Sequence, residues 1–444
     1  MAININHQTD TICATGGTLN LPDFSGGGGG FSQDDQGNLV AGTGAGAAKD
    51  SDTCFNIMIG CISGASLNQG DHNILLGCKS GNAITSGLYN IAFGHAAGCS
   101  MVSSIGNIAM GNLAAKGLTG SNNIVLGNDT VASSAAANYN VVIGHAASYN
   151  LGAAADNVVI GCKTGCDITT GGANVILGKD AGGNVTTGSH NIFLGTCAAQ
   201  KCAVTGSCNI AIGVMAGLKL TSGTCNVFIG ECAGKCIDTQ SRNTFIGSRA
   251  GHYICGCDNV AVGWGAGINV SGDYNVFLGR YSGKAQFNTG TDRNTGLGFA
   301  TLCDLQNGDC NTASGQNAGN KTSSGSNNVF MGSCAGYCNT TGSGNVFVGN
   351  YSAKSGGGAV TGSNNTALGT RSMCNITSGA TNVAIGYDAG RDISTSSCNV
   401  FIGMCAGNNV NSGGSNVAIG PNVEPAGPSS SCQLVIGVGS NEWI

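Results

Sequence analysis

A five-residue pattern of polar and apolar positions recurs from one end of the chain to the other. It reads Asn, then Val, Ile or Thr, then an apolar residue, then Ile or Leu, then Gly, as at residues 226–230 and 399–403. The sequence holds 23 copies, and 16 of the 22 spacings between them are 17 residues. Self-similarity at a short fixed period is typical of stacked-repeat proteins, so it predicts a repeat array rather than separate globular domains.

The composition of one repeat, numbered from its Asn as position 1, predicts the fold class. Positions 1–4 predict a short β-strand, and a frequent apolar residue at position 12 indicates a second. Gly at position 5 and a Thr- or Ser-rich segment ending in Gly near position 15 predict the turns. Two short strands and two turns per repeat describe one coil of an all-β parallel β-solenoid (β-roll) of about 23 coils. At about 4.8 Å per coil, the array would form a rod roughly 110 Å long.

Two columns of the repeat are expected to have structural roles. Position 5 is Gly in all 23 copies, although Ala is abundant elsewhere in the repeat. This strictness predicts a positive φ or a close approach between coils, where a Cβ is not accepted. The Asn of position 1 is expected to stack into a ladder of hydrogen-bonded amides, and to tolerate substitution better than the Gly. Representative members of the two columns are Gly60, Gly230, Gly247, Gly403, Asn226 and Asn399.

Position 3 is apolar in all copies except one, where Gly296 stands. Because positions 2 and 4 point to the other side of the strand and are apolar too, the strand is apolar on both faces. One face can pack inside its own coil, and the other would leave a long exposed apolar stripe. Identical chains around a common axis would cover it, so we predict a homotrimer with Phe228, Phe245 and Phe277 near the axis.

The two ends of the chain differ from the array, which is assigned to residues 37–420. Residues 1–36 start with an alternating strand pattern, continue with a partner strand over 11–21, and contain five consecutive Gly at 26–30. They are predicted to be an attachment segment with a Gly-rich hinge. Residues 421–444 hold three of the four Pro and are predicted to form a terminal cap or, alternatively, a receptor-binding tip.

Charge and residue spacing argue against several classes of function. Charged residues make up only 9% of the chain, and its 17 basic residues are scattered, so no nucleic-acid partner is expected. No run of 18 apolar residues occurs and no basic, apolar leader follows Met1, so neither membrane insertion nor secretion is expected. His95 and His145 adjoin no carboxylate that would complete a triad. We therefore expect no enzymatic activity, no cofactor and no metal site.

The 23 cysteines fall into particular columns of the repeat. Cys61 and Cys78 share position 6 of successive coils, and Cys208 and Cys225 each directly precede the Asn. Because a coil spacing near 5 Å lies within the Cα range of disulfides, these two pairs are candidate disulfides. The alternative is that Cys serves as a small buried hydrophobe beside Ala and Ser. Zinc is less favoured, since the spacing Cys-x-x-Cys never occurs.

Particular segments carry resemblances to known families. Residues 382–390, Asn-Val-Ala-Ile-Gly-Tyr-Asp-Ala-Gly, resemble the head repeats of trimeric autotransporter adhesins, which form a trimeric left-handed parallel β-roll. The 17-residue spacing with Thr-Thr-Gly turns is more similar to the tandem repeats of tail-fibre and appendage proteins of marine cyanophages. Residues 3–9, 14–19 and 437–444 also resemble cyanophage structural proteins. The expected absence of a secretory signal and a membrane barrel favours the phage family over the autotransporters.

The cyanophage resemblance implies a structural or adhesive fibre of a phage particle, a tail fibre or appendage located in the virion. Its partners would be further copies of itself, other virion proteins bound through residues 1–36, and a glycan or protein of the host surface. The alternative is a bacterial extracellular filament or matrix protein whose coils stack end to end. An ice-binding solenoid is a third interpretation, weakened by the irregular Thr pairs at positions 13–14.

Overall fold

A computed structural model describes residues 3–6, 11–14, 32–133, 136–285 and 290–443. The chain divides into two compact units, residues 1–169 and 170–444. The strands of the first unit are β1 (Ile3–Asn6), β2 (Thr11–Ala14), β3 (Ser32–Gln33), β4 (Leu39–Ala41), β5 (Ile57–Ile59), β6 (Ile74–Leu76), β7 (Ile91–Phe93), β8 (Ile108–Met110), β9 (Ile124–Leu126), β10 (Val141–Ile143) and β11 (Val158–Ile160). Those of the second are β12 (Val175–Leu177), β13 (Ile192–Leu194), β14 (Ile210–Ile212), β15 (Val227–Ile229), β16 (Thr244–Ile246), β17 (Val260–Val262), β18 (Val276–Leu278), β19 (Thr295–Leu297), β20 (Thr312–Ser314), β21 (Val329–Met331), β22 (Val346–Val348), β23 (Thr366–Leu368), β24 (Val383–Ile385), β25 (Val400–Ile402), β26 (Val417–Ile419), β27 (Leu434–Val438) and β28 (Asn441–Glu442).

Each unit is a parallel β-solenoid in which every coil contributes one strand. In the first unit β4 to β11 pair in parallel in sequence order. In the second unit β12 to β27 do the same, always with equal repeat positions opposite each other, as Val227 with Thr244. The described residues contain no helix, and 24 of the strands belong to coils with a period of about 17 residues. The predicted all-β parallel solenoid of about 23 coils is therefore confirmed.

The second strand predicted for each coil does not form. Side chains at position 12, such as Ile84 and Leu220, are fully buried and belong to the core. Their backbone, however, turns back within the coil: the amide of Ile84 donates to the carbonyl oxygen of Gly81 at 3.0 Å. Because this amide is not available to the neighbouring coil, the ladder breaks up into isolated bridges such as Val185 with Val204.

The side chain of position 3 points into the core of its own coil. Phe228, Phe245 and Phe277 are fully buried, and the rings of the first two stack with centroids 5.5 Å apart. The prediction that these residues lie near a trimer axis is therefore wrong, since a three-residue strand turns its middle side chain inward. A charge at position 3 would disrupt the coil itself rather than release folded chains. Positions 2 and 4, as at Val227 and Ile229, point outward and stay partly exposed.

Glycine makes room for the large interior side chains. A Cβ on Gly234, at position 9, would lie 2.5 Å from the ring of Phe228. Gly296, the one gap in the apolar column, makes room for two buried hydroxyl groups instead. The hydroxyl of Ser282 lies 2.6 Å from that of Thr301 and donates to the carbonyl oxygen of Gly296 at 2.9 Å. The interior is thus filled at this coil as well, in line with the close packing of protein cores.

Short antiparallel strands cover part of the outer edges of the first and last coil strands. In the first unit β3 pairs with β4, with Ser32 opposite Val40. In the second unit β28 turns back onto β27, and the amide of Trp443 donates to the carbonyl oxygen of Ile436 at 2.7 Å. Such edges would otherwise be open to pairing with other chains.

The N-terminal segment contains an antiparallel hairpin of β1 and β2, with Ile3 opposite Ala14. The predicted partner strand over 11–21 is therefore present at its beginning. Its remainder and the Gly run at 26–30 lie outside the described residues.

Candidate functional site

The glycine at position 5 forms the corner at which each strand ends. The φ angles of Gly60, Gly230, Gly247 and Gly403 are 131°, 132°, 127° and 133°, a region that residues with a Cβ rarely adopt. A Cβ on Gly230 would lie 2.6 Å from the carbonyl carbon and oxygen of Gly247 in the next coil. The two conditions expected from the sequence, a positive φ and a close approach between coils, thus occur together.

Two further columns have left-handed backbones that sequence reasoning missed. The residue directly before the Asn, position 0, has a positive φ in every coil, for example 61° at Cys208, 60° at Arg242 and 61° at Tyr274. Position 7 is similar, with 56° at Cys232 and 59° at Arg249. These two columns hold many residue types and not mainly Gly or Asn, which usually mark a left-handed backbone. Residue type therefore gave no signal, and only the fixed position of these columns in every repeat could have indicated the positive φ.

The Asn at position 1 is buried, and its amide joins neighbouring coils. The Nδ2 of Asn226 donates to Oδ1 of Asn209 at 3.0 Å and to the carbonyl oxygen of Gln240 at 2.9 Å. Its Oδ1 accepts from the backbone N and from Nδ2 of Asn243, at 3.0 and 3.2 Å. Asn399 makes the same four contacts in its own coil. Each side chain uses both amide hydrogens and both lone pairs, which fully satisfies a buried amide.

Two other residue types complete the ladder near its ends. In the first unit, Oδ1 and Oδ2 of Asp34 accept from N and Nδ2 of Asn38 at 2.8 and 3.1 Å, and Nζ of Lys49 lies 3.0 Å from Oδ2. Burial alone would raise the pKa of Asp34, but the hydrogen bonds from Asn38 and Lys49 together hold that pKa below its usual value. In the second unit the backbone amide of Gln433 donates to Oδ1 of Asn416 at 3.1 Å.

The outward side chains of positions 2 and 4 form two apolar columns, which we call the outer sheet face. In the second unit this face contains no charged residue, and its only polar members are four Thr and one Ser. Leu278, Met331 and Ile402 are more than a third exposed. The face is therefore uncharged. Among the described residues, none covers these side chains, which remain partly exposed to solvent.

Most of the described cysteines are half-buried. Of the 22 cysteines that the structure describes, only Cys232 is buried, and all 22 are free thiols. The expectation that Cys serves as a small, fully buried hydrophobe therefore holds for Cys232 alone, since 15 of the 22 are half-buried and six are exposed. Cys61 and Cys78 lie in one column of successive coils, as do Cys208 and Cys225, and both candidate disulfides are unformed.

Alkylation of the native protein should distinguish these thiols. After a short exposure to N-ethylmaleimide, mass spectrometry is expected to find Cys208 and Cys225 modified and Cys232 unmodified, because only Cys232 is buried. A reducing agent should leave the melting temperature unchanged, since no described coil depends on a disulfide. Equal labelling of all three thiols, or disulfide-linked Cys208–Cys225 or Cys61–Cys78 peptides in freshly purified protein, would contradict this assignment.

The histidines considered from the sequence belong to separate surface contacts. Nδ1 of His95 lies 3.2 Å from Oδ1 of Asn112, and Nδ1 of His145 lies 3.9 Å from Sγ of Cys162. Among the residues described, no three His, Cys, Asp or Glu side chains are grouped as metal ligands. The same residues include no helix long and apolar enough to cross a membrane. Neither a protein-family model nor a curated protein matches the chain.

Proposed function

We propose that the chain is the subunit of a fibre, a homotrimer assembled through the outer sheet face. The observation that carries this proposal is the length of that face without a single charge. In the second unit it extends over 16 coil strands. With strands about 4.8 Å apart and about 10 Å long, these strands present roughly 750 Å². That exceeds the largest apolar patch of a typical monomer and approaches the roughly 800 Å² that each partner buries in a stable interface.

A second copy of the chain suits this surface better than an unrelated partner. All coils repeat the same two outward columns, so identical chains side by side would place like columns together along their whole length. The absence of charge removes the repulsion that would oppose self-association. The choice of three copies rather than two rests on the resemblance to trimeric adhesin heads.

We assign the fibre to a phage particle, as a tail fibre or appendage, with residues 1–36 bound to other virion proteins. The resemblance of residues 3–9 and 437–444 to cyanophage structural proteins supports this assignment, and contact with a host-surface glycan or protein would follow from it. The alternative, an extracellular filament that grows by stacking coils end to end, needs open strand edges. Strands β3 and β28 cover part of the edges of β4 and β27, which supports a fibre of defined length.

Charges on the outer sheet face should dissociate the assembly without unfolding the coils. Ile212→Glu, Ile229→Glu and Ile246→Glu together place three carboxylates at position 4 of successive coils, where an interface would bury them without partners. Light scattering is expected to give the mass of three chains for the parent protein and of one chain for the triple variant. Their circular dichroism spectra should coincide, because position 4 points away from the core.

The matched control places the same charges on the exposed turns of three successive coils. Thr187→Glu, Thr205→Glu and Ser222→Glu should leave the parent mass unchanged. A parent protein that is monomeric at micromolar concentration would refute assembly through this face. Electron microscopy distinguishes the two biological settings, since particles of uniform length are expected for a phage fibre and unlimited filaments for the alternative.

A further inference from the structure

The second unit departs furthest from its period in the coil that begins at Asn345, which contains 20 residues. The additional length forms a loop around residues 356–358, and hydrogen bonds hold both of its ends. The hydroxyl of Ser355 donates to the carbonyl oxygen of Gly358 at 2.6 Å and accepts from its amide at 3.2 Å. Beyond the loop, the amide of Val360 donates to the carbonyl oxygen of Cys338 at 2.8 Å. The insertion is thus a defined structure.

This loop borders a cleft of about 490 Å³, whose other walls come from the two preceding coils. Lys321, Tyr337 and Lys354 lie in three successive coils, and all three line the cleft. Nζ of Lys321 is 5.4 Å from the ring of Tyr337, and Nζ of Lys354 is 4.6 Å from the ring of Tyr351. No carboxylate lines the cleft, and no described residue forms an ion pair with either lysine.

The charges and dimensions of the cleft favour an extended anionic ligand. Two cations in a cleft that no carboxylate lines create a positive potential that attracts anions. Their backbones stand two coils apart, about 10 Å, so a ligand that carries more than one anionic group can pair with both. Tyr337 adds an apolar ring with a polar hydroxyl to the same cleft, and the volume lies within the usual range of ligand pockets.

We propose that this cleft binds an acidic saccharide, with its anionic groups paired to Lys321 and Lys354 and a sugar ring against Tyr337. The preference for a saccharide over an acidic peptide rests on the proposed function, because a fibre that attaches to a cell meets surface glycans. None of the lining residues belongs to the outer sheet face. Substitutions in the cleft can therefore remove ligand binding without removing assembly, and the two properties can be measured separately.

Calorimetric titration of the full-length protein with a hexamer of galacturonic acid tests the proposal. The parent protein is expected to bind this hexamer and not maltohexaose, which is neutral. Lys321→Gln combined with Lys354→Gln should weaken binding by about tenfold or more, because both charge-assisted contacts are lost. Deletion of residues 356–358 restores a 17-residue coil, and should abolish binding while the melting temperature stays near that of the parent.

The control is Lys201→Gln combined with Lys219→Gln, which removes the same charge from exposed side chains outside the cleft. It should bind like the parent. Equal binding of maltohexaose, equal weakening in the control, or equal affinity for a hexamer of aspartate would each overturn the proposal. Light scattering on the same samples separates the two proposals: a trimer that does not bind the uronate refutes the cleft alone, and a monomer that binds it refutes the assembly alone.

Discussion

Gly230→Val is expected to destabilise the second unit by roughly 4 kcal/mol or more, because backbone strain and a steric clash occur at the same residue and their costs add. The substituted residue would have to keep a φ of 132°, and its Cβ would lie 2.6 Å from the backbone of Gly247. Backbone atoms cannot rotate away as a side chain could, so the neighbouring coil must move. Urea unfolding and the melting temperature measure the effect, and limited proteolysis should show new cleavage around this coil.

Gly357→Val is the matched control, since a Cβ on Gly357 would meet no atom within 4 Å. Its effect is expected to stay within about 1 kcal/mol, as for most surface substitutions. If Gly230→Val unfolded at the same urea concentration as the parent, the assignment of position 5 as an obligatory glycine corner would be wrong.

Asn328→Asp is expected to cost on the order of 3–5 kcal/mol at neutral pH, because it buries a charge and removes two donors. The Nδ2 of Asn328 donates to Oδ1 of Asn311 and to the carbonyl oxygen of Gly342, both at 2.9 Å. In the variant a carboxylate oxygen would face both acceptors. From the fully bonded ladder we now expect this column to be about as sensitive as the Gly column, whereas the sequence alone led us to expect greater tolerance.

The loss should depend on pH in a defined direction. Burial and the two facing oxygens raise the pKa of the introduced carboxyl in the folded state above its unfolded value of about 3.9. The folded state then binds more protons than the unfolded state between these two pKa values, so stability falls as pH rises through that window. Urea unfolding at pH 4, 6 and 8 should show the smallest difference from the parent at pH 4.

Asn327→Asp makes the same chemical change one residue earlier and is the control. Asn327 is exposed with a φ of 59°, and Asp156 and Asp258 already occupy this position in other coils. Its stability is expected to match that of the parent at all three pH values. A pH-independent loss for Asn328→Asp, or an equal loss for Asn327→Asp, would contradict the proposed role of the buried amide.

Repetition made the Gly corner and the Asn ladder predictable, because a requirement of the backbone recurs at the same position in every coil. Gly230 and Asn226 are fixed while their neighbours vary, so the cause had to lie in geometry or hydrogen bonding rather than in packing volume. The same periodicity sufficed for the fold class. The 20-residue spacing after Asn345 is also visible in the sequence, although spacing alone could not place Lys321 and Lys354 beside one cleft.

A pattern of apolar residues could not predict which side chains point into the coil and which point outward. Phe228 and its flanking Val227 and Ile229 are all apolar, so alternation indicated two faces without saying which one is interior. The deciding fact is the space left by Gly234 in the same coil, which only the closed coil reveals. The exposure of Cys208 was missed for a related reason, because the left-handed backbone at position 0 directs this column to solvent.

The in-register pairing of interchangeable coils has a consequence for how such a gene can change. Removing or duplicating one whole 17-residue repeat inside a unit would leave every other strand opposite an equivalent strand, and it would leave the terminal strands β3 and β28 in place. Recombination between similar repeats could therefore alter the length of a solenoid in steps of about 4.8 Å without disturbing its fold. The number of repeats would therefore set the length of the solenoid, and unequal crossing-over could change that length by one coil at a time.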